Sequence, residues 1–257
     1  MDRIIKFLAH NGKINVVCAD TTNLVEKARI IHDLSPVATA TLGRVLTVTS
    51  IMGQNCKNKK DSVTVQINGN GPIGRIIVTS NSNAIVRGYV ENPQVDLPIR
   101  DDGKIDVGGA VGNIGRISVI KDIGLKEPYI GISNIISGEI AEDFANYFAI
   151  SEQNNTAVAL GVLVNKYGVK RAGGYIIQAM PDATENIVEI IENNLKNIEP
   201  ISTMWDKNFS LEEIAKIVTK DDKIKKVGEE TKPDYRCNCS REKMIKGLVS
   251  IRKKWDK

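Results

Sequence analysis

The sequence predicts an α+β protein with a β-rich core and packed helices over residues 1–180. A helical middle region with a charged linker follows over 181–232, and a small cysteine module over 233–257. Three observations carry this reading. Runs rich in β-branched residues, bounded by Gly, Asn, Ser and Pro, dominate residues 62–180, with helical patterns before and among them. Pro181 ends the β signal, and amphipathic segments with capping-box spacing take over. Near the end, Cys237-Asn238-Cys239-Ser240 pairs two thiols on a basic tail.

The elements follow in order. Residues 4–9 and 14–19 flank Asn11-Gly12, the strongest short hairpin signal, because both turn positions need positive φ. Two helical segments come next. Ser35-Pro36 supplies an N-cap and a proline at the first helical position of the second, which carries Val37, Leu42, Val45, Leu46 and Ile51 to about Gln54. Gly43 inside it marks close packing. Residues 63–67, 75–78 and 85–90 are strands. Ser137 caps an expected helix whose stripe is Ile140, Phe144, Tyr147 and Phe148. Strands at 158–164 and 169–180 flank the turn Lys166-Tyr167-Gly168. Beyond Pro181, Asp182 with Glu185 and Ser210 with Glu213 fit the capping box, and Ile187, Ile190, Ile191 and Leu195 make one narrow apolar face. Residues 220–232, almost all charge, are expected to be a linker. In the last segment, 241–255, Met244, Leu248, Ile251 and Trp255 share a helical stripe.

Composition narrows the function classes. A folded chain of 257 residues buries roughly 70–75% of its unfolded surface and needs no disulfides to stand. The longest apolar run, 157–164, is far too short to span a bilayer. Met1-Asp2-Arg3 puts charge where a signal peptide is apolar, so a cytoplasmic protein is expected, with four cysteines kept reduced as ligands or redox sensors. The net charge of +4 does not indicate nucleic-acid binding, and no membrane partner is expected.

Few motifs assemble into catalysis. Gly69-Asn70-Gly71-Pro72-Ile73-Gly74 matches the dinucleotide fingerprint by letter, but a strand rather than a helix follows, so a turn is expected. Gly108-Gly109-Ala110-Val111-Gly112 fits a tight bend in a β layer. The only bases for a nucleophile are His10 and His32. Cys18, mid-strand, fits a buried inert thiol, whereas Lys57, Lys59 and Lys60 are placed to lower the pKa of Cys56. Asp101-Asp102 and Asp221-Asp222 are solvated loop charge. The Cys237/Cys239 pair is more informative. Both thiolates reach one metal only if the backbone turns between them, which Asn238 and Ser240 favour. Arg236, Arg241 and Lys243 hold the thiols toward the thiolate form. Two unpaired thiols on a surface turn remain the bland alternative.

Several stretches together resemble the redox-regulated heat-shock chaperone family of thirty-three kilodaltons. They are residues 69–74, 86–93 and 106–112, Ser137-Gly138-Glu139-Ile140-Ala141-Glu142-Asp143-Phe144, Ala172-Gly173-Gly174-Tyr175-Ile176-Ile177-Gln178 and Cys237-Asn238-Cys239-Ser240-Arg241-Glu242. The resemblance covers essentially the whole chain. It implies an ATP-independent holdase, silent when reduced and zinc-loaded, that takes unfolding proteins as partners when its cysteines are oxidised. It makes Cys237 and Cys239 zinc ligands in the reduced state and a disulfide in the oxidised one. On this reading Ile187, Ile190 and Leu195 meet clients, and a homodimer swapped through the helices after Pro181 is expected. The family pattern continues to a C-x-x-C pair absent before Lys257, so these 257 residues are expected neither to hold zinc stably nor to be fully silent when reduced. The alternative is a nucleic-acid or ribosome-associated stress protein using Arg252-Lys253-Lys254; an enzyme built on the glycine loops ranks third.

Overall fold

The longest helix among the described residues is buried on nearly every side, and the two sheets are arranged around it. The computed structural model describes residues 1–236, 242, 244 and 245. Helix α2 (Pro36–Gln54) starts at the proline the sequence indicated, and the Ser35 hydroxyl accepts the Ala38 N–H at 3.1 Å. An earlier helix, α1 (Thr22–His32), packs on it. The buried polar residues of α2 do not disturb the apolar surroundings, because the hydroxyls of Thr41, Thr47, Thr49 and Ser50 each donate to the carbonyl four residues back, at 2.7–2.8 Å. Gly43 is where Val25 and Val162 press against the helix, the close approach expected of it.

On one side of α2 lies a five-stranded antiparallel sheet made of β1 (Arg3–Ala9), β2 (Ile14–Asp20), β8 (Thr156–Asn165), β9 (Gly168–Ala179) and β10 (Lys225–Thr231), in the order β10-β1-β2-β9-β8. The β1–β2 hairpin turns through a 3-10 segment, His10–Gly12, with Asn11 at φ 57° and Gly12 at φ 91°. On the other side is a six-stranded sheet in the order β11-β5-β4-β3-β6-β7, from β3 (Ser62–Asn68), β4 (Ile76–Asn81), β5 (Ile85–Val90), β6 (Arg116–Asp122), β7 (Tyr129–Asn134) and β11 (Asp234–Tyr235). Only β11 runs parallel to its neighbour, β5. Short α3 (Val107–Val111) and α4 (Ala141–Ser151) close this core. The far face of the first sheet carries a second core under α5 (Glu185–Leu195), α6 (Ile201–Asp206) and α7 (Leu211–Thr219).

Local expectations fail in four places. Residues 107–111 form a helix, not a β bend, because the Asp106 carboxylate accepts the Gly109 N–H at 2.8 Å and the turn at 69–74 lies along it. Gly71 N–H donates to Val111 O at 2.9 Å and Ile73 N–H to Ala110 O at 3.1 Å, so the two glycine-rich stretches interlock. The fingerprint 69–74 is the expected turn between strands. Ser137 does not cap α4. Asp143 does that work, its buried carboxylate accepting N–H groups of Ile136, Ser137 and Ile140, with Ile140 held at φ 59°. Asp182 and Glu185 form no capping box, since the helix starts after Thr184; Ser210 and Glu213 do form theirs. The charged stretch 220–232 contains β10, whose exposed side chains sit on an edge strand held to β1 by its backbone.

A sheet face covered by three helices

Alternation along the first sheet puts Ile5 and Phe7 of β1, Val16 and Cys18 of β2, and Tyr175 and Ile177 of β9 on the face away from α2. All six are buried, and what buries them is the cover of α5, α6 and α7. Trp205 is its central wedge. Gly161 and Gly173, opposite each other on β8 and β9, leave room for its ring. A Cβ on Gly173 would stand 2.9 Å from Trp205 Cζ2, and one on Gly161 would stand 3.3 Å from Cζ3. Ile201, Met204, Leu211, Ile214 and Val218 complete the contact.

The polar ties between cover and sheet are few. His10, in the hairpin turn, donates its backbone N–H to Asp221 at 2.6 Å and its Nε2–H to Thr219 O at 2.8 Å, gripping the end of α7. Burial opposes ionisation of Asp221, but the N–H groups of His10 and Lys223 outweigh it and hold the carboxyl below its usual range. Within the cover, Asn194 Nδ2 donates to the last carbonyls of α7, Ile217 O at 2.7 Å and Val218 O at 3.0 Å. The capping box of Ser210 and Glu213 secures its first turn.

Of the residues the sequence singled out, Ile187 and Leu195 pack half-buried into this second core, while Ile190 faces outward at 37% exposure. The inward residue of the stripe is Ile191. Cys18 lies in the middle of the covered face, and full burial pushes its thiol pKa far up. Cys56 departs from expectation: burial, then nearby Asp61, raise its thiol, and Lys121 rather than the neighbouring lysines opposes them. Cys237 and Cys239 lie outside the described residues. The chain leading to them does not. Asp234 N–H donates to Ala84 O and Arg236 N–H to Val86 O, which fastens β11 to the second sheet immediately before the first cysteine. Among the described residues no cluster of His, Cys, Asp and Glu is arranged to hold a metal, and no helix is long and apolar enough to cross a membrane.

The profile of the Hsp33 protein family matches residues 2–254. This chain belongs to the Hsp33 family. The 33 kDa chaperonin of Clostridium botulinum is 46% identical over 254 residues, which are 98% of this chain and 86% of that protein. The 33 kDa chaperonin of Acetivibrio thermocellus is 46% identical over 253 residues, 98% of this chain and 85% of that one. The solved structure of the Hsp33 homologue from Thermotoga maritima superposes with a TM-score of 0.89 at 38% identity, covering 97% of this chain and 84% of that chain. Membership of the Hsp33 family makes the chain a chaperone and bears out the α+β expectation. The covered face, which the sequence did not disclose, is an apolar surface lying under α5, α6 and α7.

Proposed function

We propose that the chain is a redox-regulated, ATP-independent holdase that offers unfolding proteins the sheet face now lying under α5–α7. The observation that carries this reading is the construction of the cover. Its helices have 11, 6 and 9 residues, lengths at which an isolated helix is marginal in water. Their stability comes from the face they cover, so undocking and unfolding are one event. The released segment, with Ile187, Ile190 and Leu195, then joins the bared strands as client-binding surface. Residues 1–180, 181–232 and 233–257 act on this reading as core, cover and switch.

Cys237 and Cys239 are the thiolate donors this chain offers toward zinc. A bound zinc ion supplies a cross-link that folds a small module around it. Between the switch and the cover runs one continuous stretch, from α7 through β10 and β11 to Cys237. Melting at its far end removes the anchor of β11 and β10 and lets α7 leave. Oxidation joins the two thiols as a disulfide, and a peroxide takes the two electrons and leaves as water. A cytoplasmic setting, a homodimer and exchange of the segment after Pro181 between protomers fit the same scheme.

Light scattering of a heat-aggregating client tests it. Peroxide-treated protein is expected to suppress scattering at stoichiometric amounts, without nucleotide. No suppression, together with salt-dependent RNA binding, would favour the nucleic-acid alternative instead.

A further inference from the structure

Between the two sheets, where α2 and α4 end, the apolar core gives way to a polar cavity of about 280 Å³. Lys6 of β1, Asn15 of β2 and Gln178 of β9 line it from the first sheet and Lys121 of β6 from the second, with Asn55 beyond α2 and Glu152 beyond α4. Two features set it apart from a solvated crevice. Asn15 is only 7% exposed, and its Oδ1 has no hydrogen-bond partner among the described residues. A buried acceptor left unmet is destabilising, and each such group in a native protein calls for an explanation. The second feature is charge. Glu152 is engaged by the Lys121 ammonium and by the Tyr147 hydroxyl at 3.0 Å. Lys6 makes no ion pair among the described residues. Two ammonium groups against one carboxylate leave the lining with one net positive charge.

We propose that this cavity binds a small hydroxylated carboxylate. The carboxylate answers Lys6, and a hydroxyl donates to Asn15 Oδ1, which a bare anion cannot do. The amides of Asn55 and Gln178 hold further polar atoms. Size suits such a ligand: at about 30 Å³ for each water in the liquid, the volume equals about nine waters, room for a three- or four-carbon hydroxy acid. A broader groove of about 750 Å³ shares Glu152 and Gln178 with the cavity and runs to Glu185 and Glu189 of α5, which gives the ligand a way in.

Titration of the ¹⁵N-labelled full chain with glycerate, followed by NMR, tests the assignment. Saturable shifts are expected at the amides of Lys6, Asn15, Asn55, Lys121 and Gln178. Lys6→Met should weaken the response at least about tenfold, as should Asn15→Leu, which removes the acceptor and fills its space. Each variant's remaining spectrum reports whether it is folded. Propionate, a carboxylate without the hydroxyl, should bind at least about tenfold more weakly than glycerate. The proposal is overturned by any of four results: no saturable shift, equal response to propionate, undiminished binding in folded Lys6→Met, or a crystal grown with glycerate in which water alone fills the cavity.

Discussion

The phenol oxygen of Tyr235 lies 2.6 Å from Nε2 of His32 and donates its proton to Gly88 O at 2.7 Å. Since that proton is committed to Gly88, His32 must be the donor toward Tyr235, which fixes Nε2 as the protonated nitrogen of the ring. The tyrosine is 3% exposed and stands edge-on to the imidazole at 5.9 Å between centroids. Two residues before Cys237, one side chain thus ties the approach to the cysteine pair to α1 and to the second sheet.

Replacing Tyr235 with Phe keeps the ring but leaves His32 and Gly88 without their partner. A loss of about 1–2 kcal/mol is expected at the latch, read as faster alkylation of Cys237 under reducing conditions. Burial lowers the pKa of His32. The unfolded chain therefore binds the proton more readily than the folded one, so the contribution of His32 is present above its ordinary value near 6.5 and declines as pH falls below that value. Relative to the urea-unfolded chain at the same pH, which carries the thiolate's own pH dependence, alkylation of Cys237 in the wild type should accelerate over that window, and His32→Gln should flatten that ratio.

Trp205→Ala removes the wedge of the cover, and truncations of this kind cost about 3–5 kcal/mol. Because the ring packs on the sheet rather than within the first core, the loss should appear as undocking of α5–α7 with the rest intact. Cys18 is the reporter, being fully buried beneath the cover. Its reaction with a thiol reagent should be slow in reduced wild type and fast in the variant, which should also suppress client aggregation without oxidant. Rapid labelling of Cys18 in the reduced wild type would contradict a closed cover.

Asp221 gives a second pH signature. Its carboxyl is held below the usual range in the folded chain, so its contribution exists above the ordinary value near 3.9 and fades as pH falls through the lower folded value. Asp221→Asn should loosen the end of α7 at neutral pH, detectable as faster amide exchange over residues 211–219, and should lessen the acid sensitivity of that exchange.

Gly71→Ala tests the interlocked glycine stretches. A Cβ there would meet Ala110 O and stand 2.5 Å from the Val111 carbonyl carbon, both backbone. Backbone cannot swing aside as a side chain does, so the variant should be strongly destabilised, with a lowered urea midpoint and no change in cover dynamics before global unfolding.

The sequence disclosed elements wherever their cause is local. Asn11-Gly12 turns its hairpin, Ser35-Pro36 starts α2, and Ser210 with Glu213 starts α7. It concealed those stabilised from a distance. Gly108 and Gly109 have little helix propensity, yet they sit in α3 because Asp106 and the turn at 69–74 satisfy the backbone. Asp143 reaches back to peptide groups three to seven residues away, which no N-terminal cap signal at Ser137 announces. The charges of β10 hid a strand whose pairing partner lies more than two hundred residues upstream. The cysteine pair is read from its spacing and the family likeness and lies outside the described residues, whereas the covered face left no such signal. Strand β2 and the middle of β9 are buried on both sides, which erases the alternation that would show which residues turn toward the helices.

The stretch after α7 occupies the rim of the first sheet as β10 and then the rim of the second as β11. Each rim is a row of main-chain donors and acceptors that any extended polypeptide can join. Lifting this one ribbon would therefore free two adhesive borders together with the greasy face, and such a border recognises the peptide backbone common to every protein. Breadth of choice in a rescuer of misfolded chains would then need no adaptable pocket, only a tail that lets go.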